Sequence, residues 1–372
     1  MVIGITPKFE IQKMKAVILK KPRILELTDI PEYQLKEENH VLIKVEACGI
    51  CGSDLRYWAG ENPWALHTLG KHIDNPANLV MGHEFAGKVE KVNSKKYEHL
   101  LGKRVGVQAY RVCGECNFCK SGRENLCRKM IHIGHAQGWG EMDFYPGAYA
   151  EYCLGWADLL HPIPDHISYA EAAMADILCV AVHVTGRTNI YEGSNVLCFG
   201  GGPAGLSIAQ VAKTYGAKNI FISDPSPLAR EVIAKYDDFI IIDPNNESVS
   251  DVIEKHIGDQ KCIAIFDSVG SNEQVNIGLP LLEEQGTYVN MAVHNEPLKF
   301  NGLLLGSERT ITTSSNAFYK DLDKAYELLN TRAINVKPWI THRFPLEDYE
   351  KAFDLLLQTP KAAYKVVFEP WK

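Results

Sequence analysis

The feature that most constrains the fold is an alternation of strand-like and helix-like segments in the second half of the chain. Short β-branched runs such as NVLCFG, NIFISD and IAIFDSVG are typical of strands, and AGLSIAQVAKTYG, PLAREVIAKY and VSDVIEKHI have helical periodicity. Strands joined through helices form right-handed crossovers, which produce a parallel sheet covered on both faces. The pattern predicts an α/β fold with a doubly wound sheet.

The first half of the chain has a different texture. From about residue 14 to about residue 180 it is rich in glycine, cysteine and histidine, with strand-like runs such as MKAVILK and HVLIKVEACGI. This predicts a β-rich domain with long functional loops. At its end, SYAEAAMADILCVAVHVTGR is apolar at helical spacing, and Ser168 with Glu171 has the spacing of a capping box.

The last part of the chain, after about residue 315, holds a helix-like segment, KDLDKAYELLN, and a closing strand-like run, YKVVFEP. A segment of this size is too short to build a core of its own. We therefore expect it to dock onto an earlier domain.

Composition excludes several classes of protein. The chain has 372 residues, 46% of them hydrophobic and 23% charged, with a net charge of −7, which is typical of a folded globular protein. The acidic balance argues against a nucleic-acid partner, and no apolar run reaches the roughly 18 residues of a membrane helix. Because no secretory signal pattern is present, we expect a reducing cytoplasmic location. The ten cysteines are then metal ligands, catalytic thiols or buried small side chains rather than disulfides.

A glycine-rich turn follows the first strand of the alternating region. Gly200, Gly202 and Gly205 form a GxGxxG pattern between NVLCFG and a helix. The first glycine allows a tight turn, the second lets the backbone approach a pyrophosphate, and the third lets helix and strand pack closely. The free N–H groups of the helix N-terminus, which begins at Pro203, favour an anion there. The pattern predicts a dinucleotide site.

A carboxylate at the end of the next strand favours NAD as the dinucleotide. Asp224 ends NIFISD, about 20 residues after the glycines, where a carboxylate hydrogen-bonds the ribose hydroxyls. A 2′-phosphate would meet a like charge, so we expect NAD rather than NADP. Asp224 could instead be a helix N-cap, and Arg230 could lie near the adenosine or be a solvated helix residue.

The segment CGECNFCKSGRENLC brings four cysteines together at C-x2-C-x2-C-x7-C spacing. These are Cys113, Cys116, Cys119 and Cys127. Four thiolates so close in sequence suit a closed tetrahedral zinc site, in which no coordination position is left for water. A redox-active pair and an iron–sulfur cluster are the alternatives. We expect a structural zinc ion at residues 113–127.

Three other segments carry potential metal ligands: CGICGSD with Cys48 and Cys51, GHEFAG with His83 and Glu84, and AMADILC with Asp176 and Cys179. Cysteine, histidine and carboxylate from scattered positions suit a zinc ion with an exchangeable position, which catalysis needs. Spacing alone leaves simple burial of the two apolar-flanked cysteines, Cys48 and Cys179, as an alternative.

In this order, CGICGSD, GHEFAG, the four-cysteine loop and GGGPAGL resemble the zinc-containing medium-chain dehydrogenases. THRFPLE and YKVVFEP resemble the polyol branch, typified by sorbitol dehydrogenase. The resemblance implies a GroES-like β-rich catalytic domain, a doubly wound Rossmann domain and an active site between them. It gives these bounds: an N-terminal extension at 1–13, the catalytic domain at 14–178, the Rossmann domain at 179–315, and a C-terminal segment completing the catalytic domain at 316–372.

The resemblance also implies the ligands of a catalytic zinc ion. Cys51 and His83 would bind the metal, and Glu84 would bind it directly or take part in ligand exchange. Asp176 falls where the family has its third protein ligand, with Cys179 as the rival one helical turn later. Because aspartate is one methylene shorter than glutamate, Asp176 would reach the metal directly or through water.

Further roles follow from the same resemblance. Asp54 would orient His83, and Ser53 would take the proton of the substrate alcohol. Val293 would offer backbone groups to the nicotinamide carboxamide. Arg56 stands where many members have a proton-relaying histidine; arginine is no base at ordinary pH, so we expect it to bind substrate, bind the cofactor pyrophosphate or lie at the surface.

We therefore predict hydride transfer between NAD and a secondary alcohol, a polyol, sugar or cyclitol. The cofactors are NAD and two zinc ions per chain, one catalytic and one structural. The expected partners are this small-molecule substrate and other copies of the chain in a homodimer or homotetramer, with no nucleic acid and no membrane. The alternatives are a dehydrogenase or ketone reductase for simple or aromatic alcohols, and a catalytically silent dinucleotide-binding protein.

Overall fold

Two sheets of different kinds organise the chain, seen in a computed structural model that describes residues 12–293 and 297–372. The predicted extension at 1–13 lies outside the described residues, apart from its last two. The strands are β1 Lys13–Lys21, β2 Ile24–Pro31, β3 His40–Gly49, β4 Leu79–Val80, β5 Glu84–Val92, β6 Arg104–Val107, β7 Tyr110–Arg111, β8 Ile131–His132, β9 Tyr152–Trp156, β10 Leu160–Pro162, β11 Asn195–Phe199, β12 Asn219–Ser223, β13 Ile240–Ile242, β14 Cys262–Asp267, β15 Leu282–Asn290, β16 Thr310–Thr313, β17 Ile340–Phe344 and β18 Lys365–Phe368.

Helices connect and cover these strands. They are α1 Gly52–Ala59, α2 Pro63–Leu69, α3 Asn117–Lys120, α4 Tyr169–Ala173, α5 Ala175–Thr185, α6 Pro203–Thr214, α7 Pro227–Ile233, α8 Val249–Ile257, α9 Asn272–Leu281, α10 Tyr319–Asn330 and α11 Tyr349–Leu357. Among the described residues, no helix is long and apolar enough to cross a membrane. All ten cysteines have free thiols.

The second half of the chain forms a six-stranded sheet in the order β13-β12-β11-β14-β15-β16, with every neighbouring pair parallel. Side chains alternate between its faces: Val196 and Cys198 belong to one apolar cluster, and Leu197 and Phe199 to another. The two clusters cover opposite faces of the sheet. The prediction of a doubly wound Rossmann domain is confirmed.

The first half forms a mostly antiparallel, seven-stranded sheet in the order β10-β6-β5-β3-β18-β17, with β9 also paired to β3. The sheet β2-β1-β4 and the pair β7-β8 lie outside it. β3 is the central strand, because it pairs with β5, β9 and β18. The prediction of a GroES-like β-rich domain is confirmed.

The C-terminal part of the chain contributes to both halves. β18 adds antiparallel to β3, and β17 lies parallel to β18, so the last strands complete the β-rich sheet. α10 instead packs its buried side chains, among them Leu322 and Leu329, into the core of the Rossmann domain. The predicted segment 316–372 is therefore shared between the two domains.

The helical segment between the domains begins with a capping box. Ser168 Oγ accepts a hydrogen bond from the Glu171 backbone N–H at 3.2 Å, and Glu171 Oε2 accepts one from the Ser168 N–H at 3.0 Å. The chain turns at Met174, between α4 and α5, and α5 then runs unbroken from Ala175 to Thr185. The predicted boundary between residues 178 and 179 falls inside this helix, and the domain bounds remain a prediction.

Candidate active site

The glycine-rich turn lies between β11 and α6, as predicted. Gly200 has φ +93°, a left-handed conformation that favours glycine. A Cβ on Gly205 would lie 1.8 Å from the Gly200 carbonyl oxygen, so helix and turn need this glycine to pack. A Cβ on Gly202 would meet nothing within 4 Å, and Gly202 caps the N-terminus of α6, with Pro203 as the first helical residue. The backbone at Gly202 is therefore open to the approach of an anionic ligand.

Asp224 directly follows β12 beside this turn. Its Oδ2 accepts a hydrogen bond from the Gly201 N–H at 2.6 Å, and its Oδ1 accepts one from the Ser226 N–H at 2.7 Å. Arg230 donates to the Asp224 carbonyl oxygen at 2.9 Å and pairs with Asp243 at 2.8 Å. The guanidinium is therefore engaged with the protein, while Asp224 places a carboxylate at the glycine turn.

A cavity of about 570 Å³ opens between the two domains. Cys51, His83 and Glu84 line it from the β-rich domain, and the segment Gly202–Gly205 lines it from the Rossmann domain. Val293 also lies on its wall. The predicted metal ligands and the predicted dinucleotide site therefore line the same cavity.

Three potential metal ligands converge in this cavity. Cys51 caps the N-terminus of α1, and His83 and Glu84 lie at the start of β5. One ligand atom from each residue lies within 4.8 Å of the other two. A thiolate, an imidazole and a carboxylate form a donor set that suits zinc, with room for a further ligand. The residues present therefore fit the predicted catalytic zinc ion.

Asp54 lies behind His83 and is fully buried. Its Oδ2 accepts hydrogen bonds from the Tyr149 hydroxyl at 2.6 Å and from the Cys51 N–H at 2.9 Å. Its Oδ1 lies 3.5 Å from His83 Nδ1. This places the carboxylate where it can fix the ring orientation and the tautomer of His83.

The charges of Asp54, His83 and Cys51 determine the protonation of Asp54 and His83. Burial alone would raise the pKa of Asp54, but the imidazole of His83 and the hydrogen bonds around it outweigh burial and lower this pKa. Burial alone would lower the pKa of His83, but the negative charges of Asp54 and Cys51 outweigh burial and raise it well above its ordinary value. Asp54 is therefore an anion whose field acts on the His83 ring.

Asp176 lines the same cavity but does not join the cluster of three among the described residues. It lies in the first turn of α5, and burial raises the pKa of its carboxyl to about 6. Its carboxylate oxygens are not among the three ligand atoms that lie within 4.8 Å of one another, and its role as a zinc ligand, directly or through water, remains a prediction. The rival, Cys179, donates its thiol hydrogen to the Asp176 carbonyl oxygen at 2.9 Å.

Three other predicted residues lie at the wall of the cavity or beside it. Ser53 lines the cavity, and its buried Oγ makes no hydrogen bond within the part of the chain that the structure describes. Arg56 donates to the Val293 carbonyl oxygen at 2.6 Å and pairs with Glu61 at 2.6 Å. Arg56 therefore links α1 to the segment after β15, across the two domains. The Val293 carbonyl oxygen, which was predicted to face the cofactor carboxamide, already accepts this hydrogen bond.

Sequence reasoning missed Lys365, which lies in β18 beside Glu84. Its Nζ lies 2.5 Å from Glu84 Oε2, although the pair is not aligned as a hydrogen bond, and Nζ donates to the Ile50 carbonyl oxygen at 3.0 Å. The attraction of Glu84 and Cys51 outweighs burial and raises the pKa of the ammonium group. A lysine inside the apolar run YKVVF was the available signal.

It also missed two histidines in HIGHAQG, on the wall of the cavity. The rings of His132 and His135 stack with centroids 4.0 Å apart, and His135 stacks on Tyr57 at 4.7 Å. His83 meets His135 edge-on at 4.5 Å. Burial lowers the pKa of His132 to about 3 and that of His135 well below its ordinary value, so both rings are neutral. Two histidines three residues apart, after the cysteine loop, were the available signal.

The four-cysteine loop forms a second cluster, away from the cavity. Its four sulfur atoms all lie within 4.8 Å of one another. The pairs Cys116–Cys119 and Cys113–Cys127 are 3.5 Å apart, and Cys113–Cys119 are 3.9 Å apart. Zinc–sulfur bonds of about 2.3 Å in a tetrahedron place sulfurs about 3.8 Å apart. The loop therefore fits the predicted structural zinc ion.

Two family models match the chain. The model for the alcohol dehydrogenase GroES-like domain covers residues 37–165, and the model for the zinc-binding dehydrogenase covers residues 203–331. The chain is 31% identical to D-arabitol-phosphate dehydrogenase of Enterococcus avium over 86% of this chain and 88% of that protein. It is 28% identical to sorbitol dehydrogenase of Bacillus subtilis over 96% and 98% of the two chains.

A solved structure agrees with these relatives. An Escherichia coli protein described as a short chain alcohol dehydrogenase, in complex with NADH, superposes with a TM-score of 0.82 at 26% identity, over 96% of this chain and 99% of that one. The chain belongs to the zinc-containing medium-chain dehydrogenase family. It is a zinc-dependent NAD(P) oxidoreductase, and the prediction of NAD and zinc as cofactors is confirmed.

Proposed function

We propose that this dehydrogenase transfers a hydride between NAD and the carbinol carbon of a polyol, sugar or cyclitol. One observation carries the proposal: the cluster of Cys51, His83 and Glu84 opens into the same cavity as the N-terminus of α6. A substrate alcohol held beside these three residues and a nicotinamide ring could react only in a space that both sites share. The names of the relatives, a sorbitol dehydrogenase and an arabitol-phosphate dehydrogenase, support the polyol class.

Residues on the β-rich side would prepare the substrate. Cys51, His83 and Glu84 would hold zinc, which when bound lowers the pKa of the substrate alcohol toward neutrality. Asp54 Oδ1 lies 3.5 Å from His83 Nδ1, so Asp54 would orient the ring and fix its tautomer once His83 binds the metal. Ser53 Oγ lies in the cavity with no hydrogen-bond partner among the described residues, so it is free to accept the hydroxyl proton.

Residues on the Rossmann side would bind the dinucleotide. The open backbone at Gly202 and the N-terminus of α6 suit the pyrophosphate, and Val293 suits the carboxamide end of the cofactor. Asp224 suits the adenosine ribose and would repel a 2′-phosphate, which supports NAD as the preferred cofactor. Arg230 pairs with Asp243 and therefore would not offer a free cation to that phosphate.

The proton cannot leave Ser53 through Arg56. The guanidinium keeps its charge at ordinary pH and donates to Val293 and Glu61, so it acts as a bridge between the domains. Asp176, with a pKa of about 6, lies in the same cavity and can hold a proton near neutral pH. Asp176 would therefore either hold a proton beside the zinc site or bind zinc through a water molecule.

A substrate panel with the zinc-loaded enzyme tests the proposal. NAD reduction is measured with polyols, sugars, cyclitols and simple secondary and aromatic alcohols, and the ketones are assayed with NADH. The proposal expects the highest kcat/KM for a polyhydroxylated substrate with NAD. A simple or aromatic alcohol as the best substrate would contradict the polyol class, and no turnover with any member would identify a silent dinucleotide-binding protein.

A cytoplasmic location and a homodimer or homotetramer remain predictions. Sedimentation velocity of the purified chain tests the assembly, and a monomer at micromolar concentration would contradict it. Fractionation of cells that express the tagged chain tests the location.

A further inference from the structure

The cavity wall beside His83 carries a pair of stacked imidazoles that the mechanism above does not use. His132 is 6% exposed and His135 is 9% exposed, and both rings line the cavity. Their stacking at 4.0 Å, with an interplanar angle of 20°, fixes each ring against the other. Tyr57 covers the far side of His135, and Tyr110 lies on His132 with centroids 5.7 Å apart. Aromatic rings therefore cover both histidines on the cavity wall.

The tautomer of His132 follows from its backbone contact. Nδ1 lies 2.7 Å from the Ile133 carbonyl oxygen. A carbonyl only accepts, so Nδ1 carries the proton and Nε2 of the neutral ring is an acceptor. Nε2 makes no hydrogen bond to any residue in the described ranges 12–293 and 297–372. The indole of Trp139 donates to the His132 carbonyl oxygen at 2.9 Å, which holds the backbone of this residue in place.

His135 is also without partners. Both of its ring nitrogens are buried, and neither has a hydrogen-bond partner among the residues that the structure describes. A buried polar group without a partner costs free energy, of a size that a bound ligand can recover by supplying the missing hydrogen bond. In a neutral ring one nitrogen donates and the other accepts, which matches the two capacities of a hydroxyl group.

We propose that His132 and His135 determine substrate specificity by binding a second hydroxyl group, on the carbon next to the reacting carbinol. His132 Nε2 accepts a hydrogen bond from that hydroxyl. His135 either makes a second hydrogen bond with the same hydroxyl or holds His132 in position. The substrate class is then a vicinal diol, the unit common to polyols, sugars and cyclitols. This inference rests on the proposed function, because it assumes that the reacting alcohol lies beside His83.

Two alcohols of equal chain length test the idea. 2,3-Butanediol and 2-butanol differ by one hydroxyl group next to the reacting carbon. A site with buried partners for that hydroxyl rejects the analogue that lacks it, so the wild-type enzyme should prefer the diol in kcat/KM by about a hundredfold or more. A wild-type enzyme that oxidises 2-butanol as efficiently as the diol would overturn the inference and leave the dehydrogenase activity intact.

The variant His132→Phe removes the acceptor and keeps a stacking ring. It should lower the ratio of kcat/KM with the diol to kcat/KM with 2-butanol by about tenfold or more, because only the diol loses a hydrogen bond. His132→Gln keeps an acceptor and should retain a higher preference than His132→Phe. His161→Phe is the matched control, because His161 also stacks on a tyrosine, Tyr326, at 5.1 Å, but lies outside the cavity.

Binding provides a readout that is independent of turnover. Calorimetry measures the dissociation constant of 2,3-butanediol for the zinc-loaded enzyme saturated with NADH. Because NADH cannot accept a hydride, the alcohol is not oxidised during the measurement. His132→Phe should weaken this binding by about tenfold, and His161→Phe should leave it unchanged. If His132→Phe does not fold, His135→Phe takes its place with the same expectations. If a folded variant keeps both the wild-type preference and the wild-type binding, the proposal is overturned. If the wild type oxidises neither alcohol and no member of the wider panel, both this inference and the proposed function are overturned.

Discussion

Glu84 and Lys365 form an ion pair at the base of the cavity, with 2.5 Å between Oε2 and Nζ. Their side chains are 1% and 3% exposed. Gly49 makes room for the pair, because a Cβ there would lie 2.3 Å from Glu84 Oε2. Lys365 comes from the last strand, β18, and Glu84 from β5. The positive charge of Lys365 therefore balances the negative charge of Glu84, a potential zinc ligand.

Removing the lysine should destabilise the enzyme. The variant Lys365→Met leaves Glu84 as a buried anion without its cation, which costs about 3 kcal/mol in such pairs. The loss should be largest when zinc is removed from the cavity, since the metal supplies a positive charge near Glu84. The midpoint of urea denaturation, measured with zinc and after chelation, checks this.

The control for this variant is Lys15→Met. Lys15 pairs with Glu347 at 2.6 Å, but both side chains are about half exposed. An exposed pair contributes little, so we expect no measurable change in the midpoint. Equal effects of the two substitutions would contradict the argument from burial.

The four-cysteine loop should bind zinc independently of catalysis. Cys116→Ser should lower the zinc content by one ion per chain, because serine is a poor ligand in a four-thiolate site. It should also lower the thermal stability, since metal binding orders the loop. Elemental analysis and calorimetry check this, with Cys198→Ala, a buried strand cysteine, as the control that keeps its zinc. A Cys116→Ser chain with full zinc content would refute the assignment.

Asp176 should make the stability of the enzyme depend on pH when the catalytic metal is removed. Its pKa is about 6 in the folded chain, above the value of about 3.9 in an unfolded chain. The folded state therefore binds the proton more tightly, and this stabilisation is lost as pH rises from about 4 through 6. Relative to Asp176→Asn, the wild type should lose about 1 kcal/mol between pH 5 and pH 8. Parallel curves for the two proteins would contradict this.

Asp224 should control the choice between the two dinucleotides. Asp224→Asn removes the charge that a 2′-phosphate would meet, so the ratio of kcat/KM with NAD to kcat/KM with NADP should fall by about tenfold or more. Steady-state kinetics with both cofactors measure the ratio. Asp238→Asn, at an exposed ion pair with Lys213, is the control. If Asp224→Asn keeps the wild-type ratio, the carboxylate does not set the preference.

The sequence predicted the fold well because local patterns determine it. The alternation of β-branched runs and helices indicated the parallel sheet, and the cysteine spacing indicated a cluster that the structure forms. Ser168 and Glu171 form the predicted capping box, since three residues bring their groups together. The segment after it is apolar at helical spacing, but the structure divides it into two helices at Met174, where no proline or glycine gives a signal.

The missed residues are those that tertiary contacts bring to the site. Lys365 reaches Glu84 because β18 pairs with β3, a strand that is far from it in the sequence. His132 and His135 follow His83 at a distance in the sequence, and tertiary packing places both on the cavity wall beside it. Asp176 was predicted as a ligand from the family resemblance, and this role remains a prediction because its oxygens are not among the three clustered ligand atoms.

The measurement that tests the central claim most directly is the zinc content of Cys51→Ala beside that of the wild type, together with NAD-dependent oxidation of the best substrate. The account predicts two zinc ions per wild-type chain, one in the variant, and loss of nearly all activity, since the remaining ion lies in the four-cysteine loop. A Cys51→Ala enzyme that keeps both zinc ions and its full turnover would contradict it.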